Sequence, residues 1–431
     1  MVHTFCIHGA HYAFDSESGA LHSLHQKAAE MISRLPLPLP EQCPQEWVGR
    51  LGGEANAIWR EIKALAASGQ LFAPEIGPPS QGKPVVKAIC LHVAHDCNLR
   101  CAYCFAGTGG FGADRALMTP ETARKAIDFL LAQSGRRRHL EVDFFGGEPL
   151  MAWDTVVEAV SYGRARAASM QKVIRFTLTT NGLALDDDKI QTINAEMDKL
   201  VLSLDGREAV HNALRKTVSG EGSYRAVLPK MQRLVAARTR SYYLRGTFTA
   251  NNLDFAEDVA ALADLGFRHI SIEPVVLPNG HPLAIGPQHI QTIADQYHHL
   301  LSLLNQRSEI DFFHFRVDLQ GGPCLYKRVK GCGAGTEYAA VTPDGGIYPC
   351  HQFVGYPQYK IGTLDDFDLR NAPRFGNLFT RPACRTCWAK YLCGGGCAAA
   401  NLTVNGDPEQ PYQLGCDLAR ARFECALAKK R

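Results

Sequence analysis

Short apolar strand patterns alternate with amphipathic helix patterns through the middle of the chain. Alternating or continuous apolar runs predict six strands, at residues 86–93, 140–145, 173–179, 200–204, 243–249 and 269–275. Apolar residues spaced three and four positions apart predict helices between them, at residues 120–132, 153–168, 187–197, 225–237 and 255–265. Thr119, Asp154 and Asp254 are the predicted N-caps of three of these helices.

Repeated strand and helix units of this kind predict an α/β fold with a parallel sheet and right-handed crossovers. In such folds the chemistry lies at the carboxyl ends of the strands. Gly146, the segment Thr180-Asn181-Gly182, the pair Ser203 and Asp205, and residues 247–249 all fall at those ends. We therefore expect the functional site at this edge of the sheet.

The first 75 residues carry a different pattern. Strand patterns at residues 4–7, 11–15 and 20–24 precede helix patterns at residues 26–35 and 55–67, and a Gly/Pro-rich linker follows at residues 76–84. Sheet and helices of this size predict a separate winged-helix-like module. The module has few Lys and Arg residues to contact phosphates, which argues against DNA as its ligand.

Composition sets limits that agree with an enzyme of the cytoplasm. A chain of 431 residues with 46% hydrophobic residues should hold two or three domains. Apolar runs are too short for a membrane span, the N-terminus lacks a signal-peptide pattern, and a net charge of +3 is too small to suggest a nucleic-acid binder. In a reducing compartment, 15 cysteines favour metal ligation over disulfides.

Three cysteines, Cys97, Cys101 and Cys104, follow the first predicted strand of the parallel sheet, with Tyr103 directly before the last. A cluster of four irons needs four ligands, so three thiolates leave one iron open. An open position lets a substrate or cofactor bind to the metal, as in catalytic zinc sites. A zinc site or simple buried thiols remain the alternative interpretation.

A second cysteine pattern occupies the C-terminal third. It consists of a C-x2-C-x5-C-x3-C block, a further cysteine after it, and an upstream C-x12-G-x4-C arrangement. These residues are Cys384, Cys387, Cys393, Cys397, Cys416, Cys332, Gly345 and Cys350. Because C-x2-C is also a zinc-knuckle spacing, two paired zinc sites are the alternative.

The segments CNLRCAYC at residues 97–104 and GGEP at residues 146–149 together resemble the radical S-adenosylmethionine (SAM) superfamily. The resemblance implies a partial (β/α)6 TIM barrel in which SAM chelates the open iron of a 4Fe-4S cluster. It implies that SAM contacts come from Tyr103, Gly146, Gly147, Glu148, Pro149, Thr180, Asn181, Ser203 and Arg215. An ordinary strand-ending turn for GGEP and a surface helix charge for Arg215 are the competing interpretations.

The C-terminal cysteines are similar to those of the SPASM extension of radical SAM enzymes. This resemblance implies two auxiliary 4Fe-4S clusters, three clusters in all. One auxiliary cluster would be held by Cys384, Cys387, Cys393 and Cys416, and the other by Cys332, Cys350 and Cys397 with Cys324 as a possible fourth ligand. If Cys324 does not ligate, one iron stays free for a substrate thiolate.

The N-terminal module resembles the RiPP precursor recognition element, in which the leader of a ribosomal peptide adds a strand to the sheet edge. The implied domains are residues 1–75 for recognition, 76–84 for the linker, 85–310 for the barrel and 311–431 for the SPASM domain. Cys6, Cys43, Cys90 and Cys425 lack partners at ligand spacing and are predicted to be buried or inert thiols.

Stretches around both cysteine patterns are similar to the SCIFF maturases, which join a cysteine sulfur of a precursor peptide to a carbon of another residue. The resemblance implies a Cys-rich ribosomal precursor peptide as substrate and an external flavodoxin-like or ferredoxin-like reductant. Another SPASM-type peptide modification is the main alternative, namely carbon-carbon crosslinking, epimerisation or oxidation. A multi-cluster electron-transfer protein and a zinc-containing DNA regulator are the alternatives outside the enzyme class.

Overall fold

A three-stranded antiparallel sheet and three helices begin the chain in a computed structural model that describes residues 1–78, 84–319, 329 and 331–429. The elements are β1 (Val2–Ile7), β2 (Ala10–Asp15), β3 (Leu21–Leu24), α1 (Gln26–Arg34), α2 (Gln45–Leu51) and α3 (Gly53–Ala67). The strand order is β1-β2-β3. The three predicted strands and two predicted helices are present, whereas the sequence pattern does not predict α2.

The central region contains the predicted alternation of strands and helices. Its strands are β4 (Ala88–His95), β5 (Leu99–Cys101), β6 (Ala116–Leu117), β7 (His139–Gly146), β8 (Val173–Thr180), β9 (Lys199–Ser203), β10 (Arg215–Thr217), β11 (Ser241–Phe248), β12 (His269–Pro274) and β13 (Asp311–Phe312). Its helices are α4 (Pro120–Gln133), α5 (Trp153–Ser169), α6 (Asp187–Glu196), α7 (Glu208–Leu214), α8 (Tyr224–Ala236), α9 (Phe255–Asp264) and α10 (Ile290–Gln306).

The six predicted strands correspond to β4, β7, β8, β9, β11 and β12. They lie side by side in chain order, and every neighbouring pair is parallel. Their carboxyl ends therefore meet at one edge, where the cysteine loop follows β4. This confirms the predicted parallel α/β architecture.

Alternation along the strands places apolar side chains under the helices. On β7, Leu140, Val142 and Phe144 are fully buried, while the residues between them are half-buried on the opposite face. Burial of such side chains is worth roughly 1.5 to 3 kcal/mol each. The other face of the sheet is consequently left to polar residues.

Helix capping agrees with the sequence in part. Thr119 caps α4, because its side chain accepts a hydrogen bond from the Thr122 amide. The Asp154 prediction is wrong, since α5 begins at Trp153 and Asp154 lies inside the first turn. Asp254 occupies the cap position of α9 but makes no capping bond; its carboxylate pairs with Arg207 at 2.8 Å instead.

The C-terminal third extends the same sheet. Strand β14 (Tyr338–Val341) pairs in parallel with β4, and β15 (Gly346–Tyr348) and β16 (Gly362–Thr363) continue it as antiparallel strands. The helices here are α11 (Pro382–Arg385), α12 (Lys390–Cys393), α13 (Ala398–Asn405) and α14 (Gln413–Ala428). One sheet thus runs across the predicted boundary at residue 310.

Short 3-10 helices connect these elements. They cover Pro149–Ala152, Pro287–His289, Phe313–Phe315, His351–Phe353, Pro357–Tyr359 and Leu369–Asn371. None of the helices in the described ranges combines the length and the apolar character that crossing a bilayer requires.

The N-terminal sheet packs directly against the C-terminal third. Phe5, Ile7 and Phe14 belong to the same buried apolar cluster as the residues under the parallel sheet. The His3 ring stacks on Trp388 with ring centres 4.0 Å apart. The module predicted to be separate is therefore docked onto the segment that carries the C-terminal cysteines.

Candidate active site and cysteine cavities

The first three cysteines converge in the loop after β4. Cys97 lies two residues after the end of β4, Cys101 ends β5, and the Cys104 amide donates to the Cys101 carbonyl at 3.2 Å. Burial raises the pKa of Cys97 to about 12 and that of Cys101 to about 11, and the three thiols interact electrostatically with one another. Three buried thiolates so close together need a cationic group, so this donor set fits an iron-sulfur cluster.

Arg215 is held next to this loop by a short antiparallel ladder. Strand β10 pairs with β5 so that Arg215 lies directly opposite Cys101. Its Nη1 is 4.0 Å from the Cys101 sulfur, and the side chain is 10% exposed. The structure therefore places the Arg215 charge opposite a candidate cysteine ligand and not on the surface of a helix.

Tyr103, Asp205 and Arg215 form one buried network. The Tyr103 hydroxyl donates to Asp205 at 2.7 Å, and Arg215 Nε donates to the same carboxylate at 2.9 Å. The Thr247 amide donates a further bond at 3.1 Å. The Arg215 guanidinium also lies 5.5 Å from the Tyr103 ring centre, which holds the ring in place over the cysteine loop.

Asp205 lies at the predicted edge of the sheet, but the sequence did not indicate its contacts. The pattern puts this residue at a strand end, next to Gly206, but assigns it no contact, and the structure buries it fully. An acidic residue directly after a parallel strand was the available signal. Ser203, a predicted SAM contact, ends β9 half-buried, opposite Arg245 on β11.

Gly146 and Gly147 meet the backbone of the cysteine loop. Gly146 has φ +125°, and an added Cβ would lie 2.2 Å from the Ala94 carbonyl oxygen; at Gly147 it would lie 2.0 Å from that of Asp96. The Gly147 amide donates to Ala94 at 2.7 Å. The two glycines therefore let the end of β7 pack closely against the end of β4 and the start of the cysteine loop.

Glu148 lies at the centre of a second buried network. It is 1% exposed, and its carboxylate accepts from the Thr180 hydroxyl at 2.7 Å and from the Asn181 amide at 2.8 Å. Pro149 begins the following 3-10 helix, and Glu148 caps that helix through the Leu150 amide at 3.1 Å. Burial raises the pKa of Glu148 to about 6, so the carboxylate is mostly ionised at neutral pH.

Asn181 connects the Glu148 network to Cys97. Its Nδ2 donates to Asn98 at 2.8 Å and lies 3.7 Å from the Cys97 sulfur. Amide donors near a ligand sulfur orient the ligand and adjust the properties of a bound metal group. Four of the predicted SAM contacts thus lie in or near the cysteine loop, directly or through one hydrogen-bond partner: Tyr103, Arg215, Thr180 and Asn181.

The polar face of the sheet carries a charged group that sequence reasoning missed. Glu273, on β12, pairs with Arg245 and lies 3.3 Å from His314 Nε2, which also contacts the Ser271 hydroxyl at 2.9 Å. Burial raises the pKa of Glu273, but Arg245 and His314 more than offset it and hold it at about 2. Only the pairing of adjacent strands brings these residues together.

One C-terminal set of cysteines opens onto a cavity of about 360 Å³. The cavity is lined by Cys332, Cys350 and Cys397, together with Phe353 and Arg381. Burial raises the pKa of Cys350 to about 12, and the charges of Cys397 and Cys332 add to the rise. Cys324, the possible fourth ligand, lies outside the described residues.

The other set lines a neighbouring cavity of about 550 Å³. Its walls include Cys384, Cys387, Cys393 and Cys416. Burial raises the pKa of Cys416 to about 11, and Cys393, Cys384 and Cys387 are close enough to interact with it, as Arg420 does with opposite sign. Cys397 also lines this cavity, so it lies where the two cavities meet.

In the described ranges, no set of three or more His, Cys, Asp or Glu side chains is arranged to hold a metal ion. In an iron-sulfur cluster each thiolate binds a different iron, so its ligands surround a larger group. All cysteines of the described residues are free thiols. Cys43, Cys90 and Cys425 are buried as predicted, whereas Cys6 is exposed.

Residues 91–244 match the family model of the radical SAM superfamily. The chain is 27% identical over 341 residues to the mycofactocin maturase MftC of Mycobacterium ulcerans (strain Agy99), covering 74% of this chain and 87% of that protein. It is 25% identical over 346 residues to the PqqA peptide cyclase of Ruegeria pomeroyi, covering 77% and 87%.

Solved structures share the fold at lower sequence identity. Native anSMEcpe with bound AdoMet has a TM-score of 0.63 at 17% identity, covering 79% of this chain and 96% of that one. Streptococcus suis SuiB bound to precursor peptide SuiA has a TM-score of 0.54 at 14% identity, covering 93% and 94%. Residues 91–244, which include the Cys97 loop, Glu148 and Arg215, therefore form a radical SAM domain.

Proposed function

We propose that this protein is a radical SAM maturase that installs a thioether between a cysteine sulfur and a carbon of another residue in a ribosomally made precursor peptide. The observation that carries the proposal is the placement of three thiol sets in one body. One set lies at the strand ends beside Glu148 and Arg215, and two line adjacent cavities in the C-terminal third. An N-terminal sheet is docked onto the same third.

In this proposal, Cys97, Cys101 and Cys104 hold a 4Fe-4S cluster that reduces SAM and so generates a 5'-deoxyadenosyl radical able to remove hydrogen from carbon. Glu148 is ionised and buried, and a carboxylate of that kind pairs with the SAM ammonium group. Arg215 binds Asp205 through Nε, so its Nη donors are left for another acceptor, and a planar guanidinium suits a carboxylate. Tyr103 is fixed over the loop, where an aromatic face can contact adenine.

The two auxiliary clusters would support the formation of the bond to the cysteine sulfur. Cys332, Cys350 and Cys397 would hold one auxiliary 4Fe-4S cluster, with Cys324 as the proposed fourth ligand or its position left open, and Cys384, Cys387, Cys393 and Cys416 would hold the other. Thioether formation removes one hydrogen from sulfur and one from carbon, so a second electron must leave the peptide. A chain of clusters supplies that exit.

The N-terminal sheet is the proposed site for the peptide leader. In the described residues, β1 and β3 each pair with β2 only, so each has one edge without a partner strand. A peptide strand can add to such an edge by main-chain hydrogen bonds. SuiB, which has been solved with a bound precursor peptide, shares this fold over most of the chain.

Mass analysis of a precursor peptide tests the proposal. The reconstituted enzyme is given SAM, a flavodoxin or ferredoxin-like reductant and a Cys-rich peptide encoded beside it. The expected product lacks two hydrogens per crosslink and resists alkylation at the cysteine, and hydrogen exchange at residues 21–24 or 2–7 slows when the leader is added. Cleavage of SAM with no change in the peptide mass would contradict thioether formation.

A second peptide modification is the alternative within the same chemistry. The similar proteins include a PqqA peptide cyclase, and this favours a carbon-carbon crosslink as the rival product. Such a product also lacks two hydrogens, but every cysteine remains open to alkylation. Epimerisation leaves the mass unchanged and exchanges one hydrogen with solvent.

A further inference from the structure

Arg381 connects the two C-terminal sets of cysteines. Its carbonyl accepts the Cys384 amide at 3.0 Å, at the start of α11. Its side chain reaches the other way, and Nη1 donates to the Gly395 carbonyl at 2.7 Å. Gly395 belongs to the short loop between Cys393 and Cys397, which belong to different sets. One buried arginine thus fixes the backbone of both.

The Arg381 side chain is 6% exposed, and its charge is only partly balanced. Its nearest carboxylate is Glu409, at 3.6 Å, and that side chain is 48% exposed. Nη2 also donates to the Pro408 carbonyl at 3.0 Å. Burying a guanidinium against a half-exposed partner is costly unless another anionic or acceptor group completes the site.

One donor of Arg381 has no partner. Its Nε is buried and makes no hydrogen bond to any residue that the structure describes. Arg381 and Gly376 both line the cavity of Cys332, Cys350 and Cys397. A Cβ at Gly376 would lie only 3.2 Å from Nε, so the glycine leaves space beside this donor. Leaving a buried donor without an acceptor is costly, so an acceptor is expected in this cavity.

We propose that Arg381 is a positioning residue for the cluster at Cys332, Cys350 and Cys397. Its Nε donates to a thiolate or sulfide of that cluster, and its charge raises the reduction potential of the cluster. Hydrogen bonds to sulfur and nearby positive charge stabilise the reduced, more negative state. This inference rests on the proposed function, since it requires a cluster in that cavity.

The test uses the full-length, reconstituted protein with Cys97, Cys101 and Cys104 replaced by Ala, which leaves only the auxiliary clusters. Arg381→Gln removes the charge, Arg381→Lys keeps it without Nε, and Arg374→Gln removes an exposed charge at the same cavity. In Arg381→Gln, redox titration followed by EPR should show a larger drop in potential for the cluster that Cys397→Ala eliminates than for the other auxiliary cluster, because the Arg381 charge also acts on Cys384 but Nε faces only the first cavity. We expect the reduction potential to be lowest in Arg381→Gln, intermediate in Arg381→Lys, and equal to that of the parent in Arg374→Gln.

Iron and sulfide analysis distinguishes a failure of the proposed function from a failure of the inference about Arg381. A parent protein without auxiliary iron would contradict the proposed function itself. Full iron content with an unchanged potential in Arg381→Gln would overturn the inference alone, as would an equal shift in Arg374→Gln. If Arg381→Gln does not fold, Arg381→Lys becomes the test of the inference. A reduction potential and an EPR spectrum identical to those of the parent would then exclude the Nε contact.

Discussion

The Glu17 carboxylate lies 2.7 Å from the Lys390 ammonium group, and both side chains are 2% exposed. Glu17 belongs to the turn between β2 and β3, and Lys390 begins α12 between Cys387 and Cys393. The Tyr391 hydroxyl and the Ile76 amide also donate to Glu17, at 3.1 and 3.2 Å. The proposed leader module is therefore bound to the helix that carries an auxiliary cysteine.

This contact changes the experiment that tests the N-terminal module. Deleting residues 1–75 would expose Trp388 and leave Lys390 without its carboxylate. A loss of activity in that variant would not distinguish leader recognition from damage to the cysteines. Point substitutions are the better test.

We expect Glu17→Gln to destabilise the protein by roughly 3 to 5 kcal/mol, because the Lys390 charge stays buried with only the half-exposed Glu75 carboxylate, at 4.0 Å, as a counter-charge. Chemical denaturation measures the change. Glu54→Gln is the matched control, since it removes one partner of the exposed Lys27 pair and should leave stability unchanged. Equal stability of Glu17→Gln and the parent would contradict the structural role of this ion pair.

The same pair predicts a pH dependence. Burial raises the pKa of Glu17, but Lys390 and the Ile76 amide more than offset this and hold it below the usual 4.5. A lowered pKa stabilises the folded state above the unfolded value, and that stabilisation is lost as the pH falls through the folded value. The stability difference between the parent and Glu17→Gln should therefore be constant above about pH 5 and shrink below it.

Replacing Cys97, Cys101 and Cys104 together by Ala should remove the SAM-binding cluster. Iron content should fall by about a third if three clusters are present. Reductive cleavage of SAM to 5'-deoxyadenosine should disappear, as measured by chromatography. Cys6→Ala is the control, because that thiol is exposed and outside all three sets. Continued cleavage by the triple variant would show that the radical is generated elsewhere.

The C-terminal sets should respond separately to substitution. Cys397→Ala should perturb the cluster of Cys332 and Cys350, and Cys416→Ala should perturb the cluster of Cys384, Cys387 and Cys393. Both variants should keep SAM cleavage and lose thioether formation. Resting EPR or Mössbauer spectra of the two variants check the assignment, and identical spectral changes in both would contradict two independent sets.

Asp205→Asn should weaken SAM binding and stability together. The change leaves Arg215 buried without its counter-charge, at a cost of roughly 3 to 5 kcal/mol. Tyr103→Phe removes one hydrogen bond from the same carboxylate and should cost only about 1 kcal/mol. Isothermal calorimetry with SAM and thermal denaturation compare the two. A smaller effect from Asp205→Asn than from Tyr103→Phe would contradict the prediction that the charge of Asp205 contributes more than the Tyr103 hydrogen bond.

Local patterns are sufficient for the elements that form the sheet. The pattern at residues 173–179 predicts the strand that the structure shows as Val173–Thr180, and the pattern at residues 255–265 predicts the helix Phe255–Asp264. Apolar periodicity identifies such elements because each buries one side under its neighbours. The division of the C-terminal cysteines into two groups came from the resemblance to the SPASM extension and remains a prediction.

Contacts between distant segments required the folded chain. No spacing indicates that Arg215 lies opposite Cys101, that Asp205 accepts from Tyr103, or that Gly147 closes on Asp96. Nor does any pattern pair Glu17 with Lys390. The sequence by itself determined the order of strands and helices in the parallel sheet, because periodicity is local. The tertiary structure alone decided which charges are buried together, because that depends on how whole elements dock.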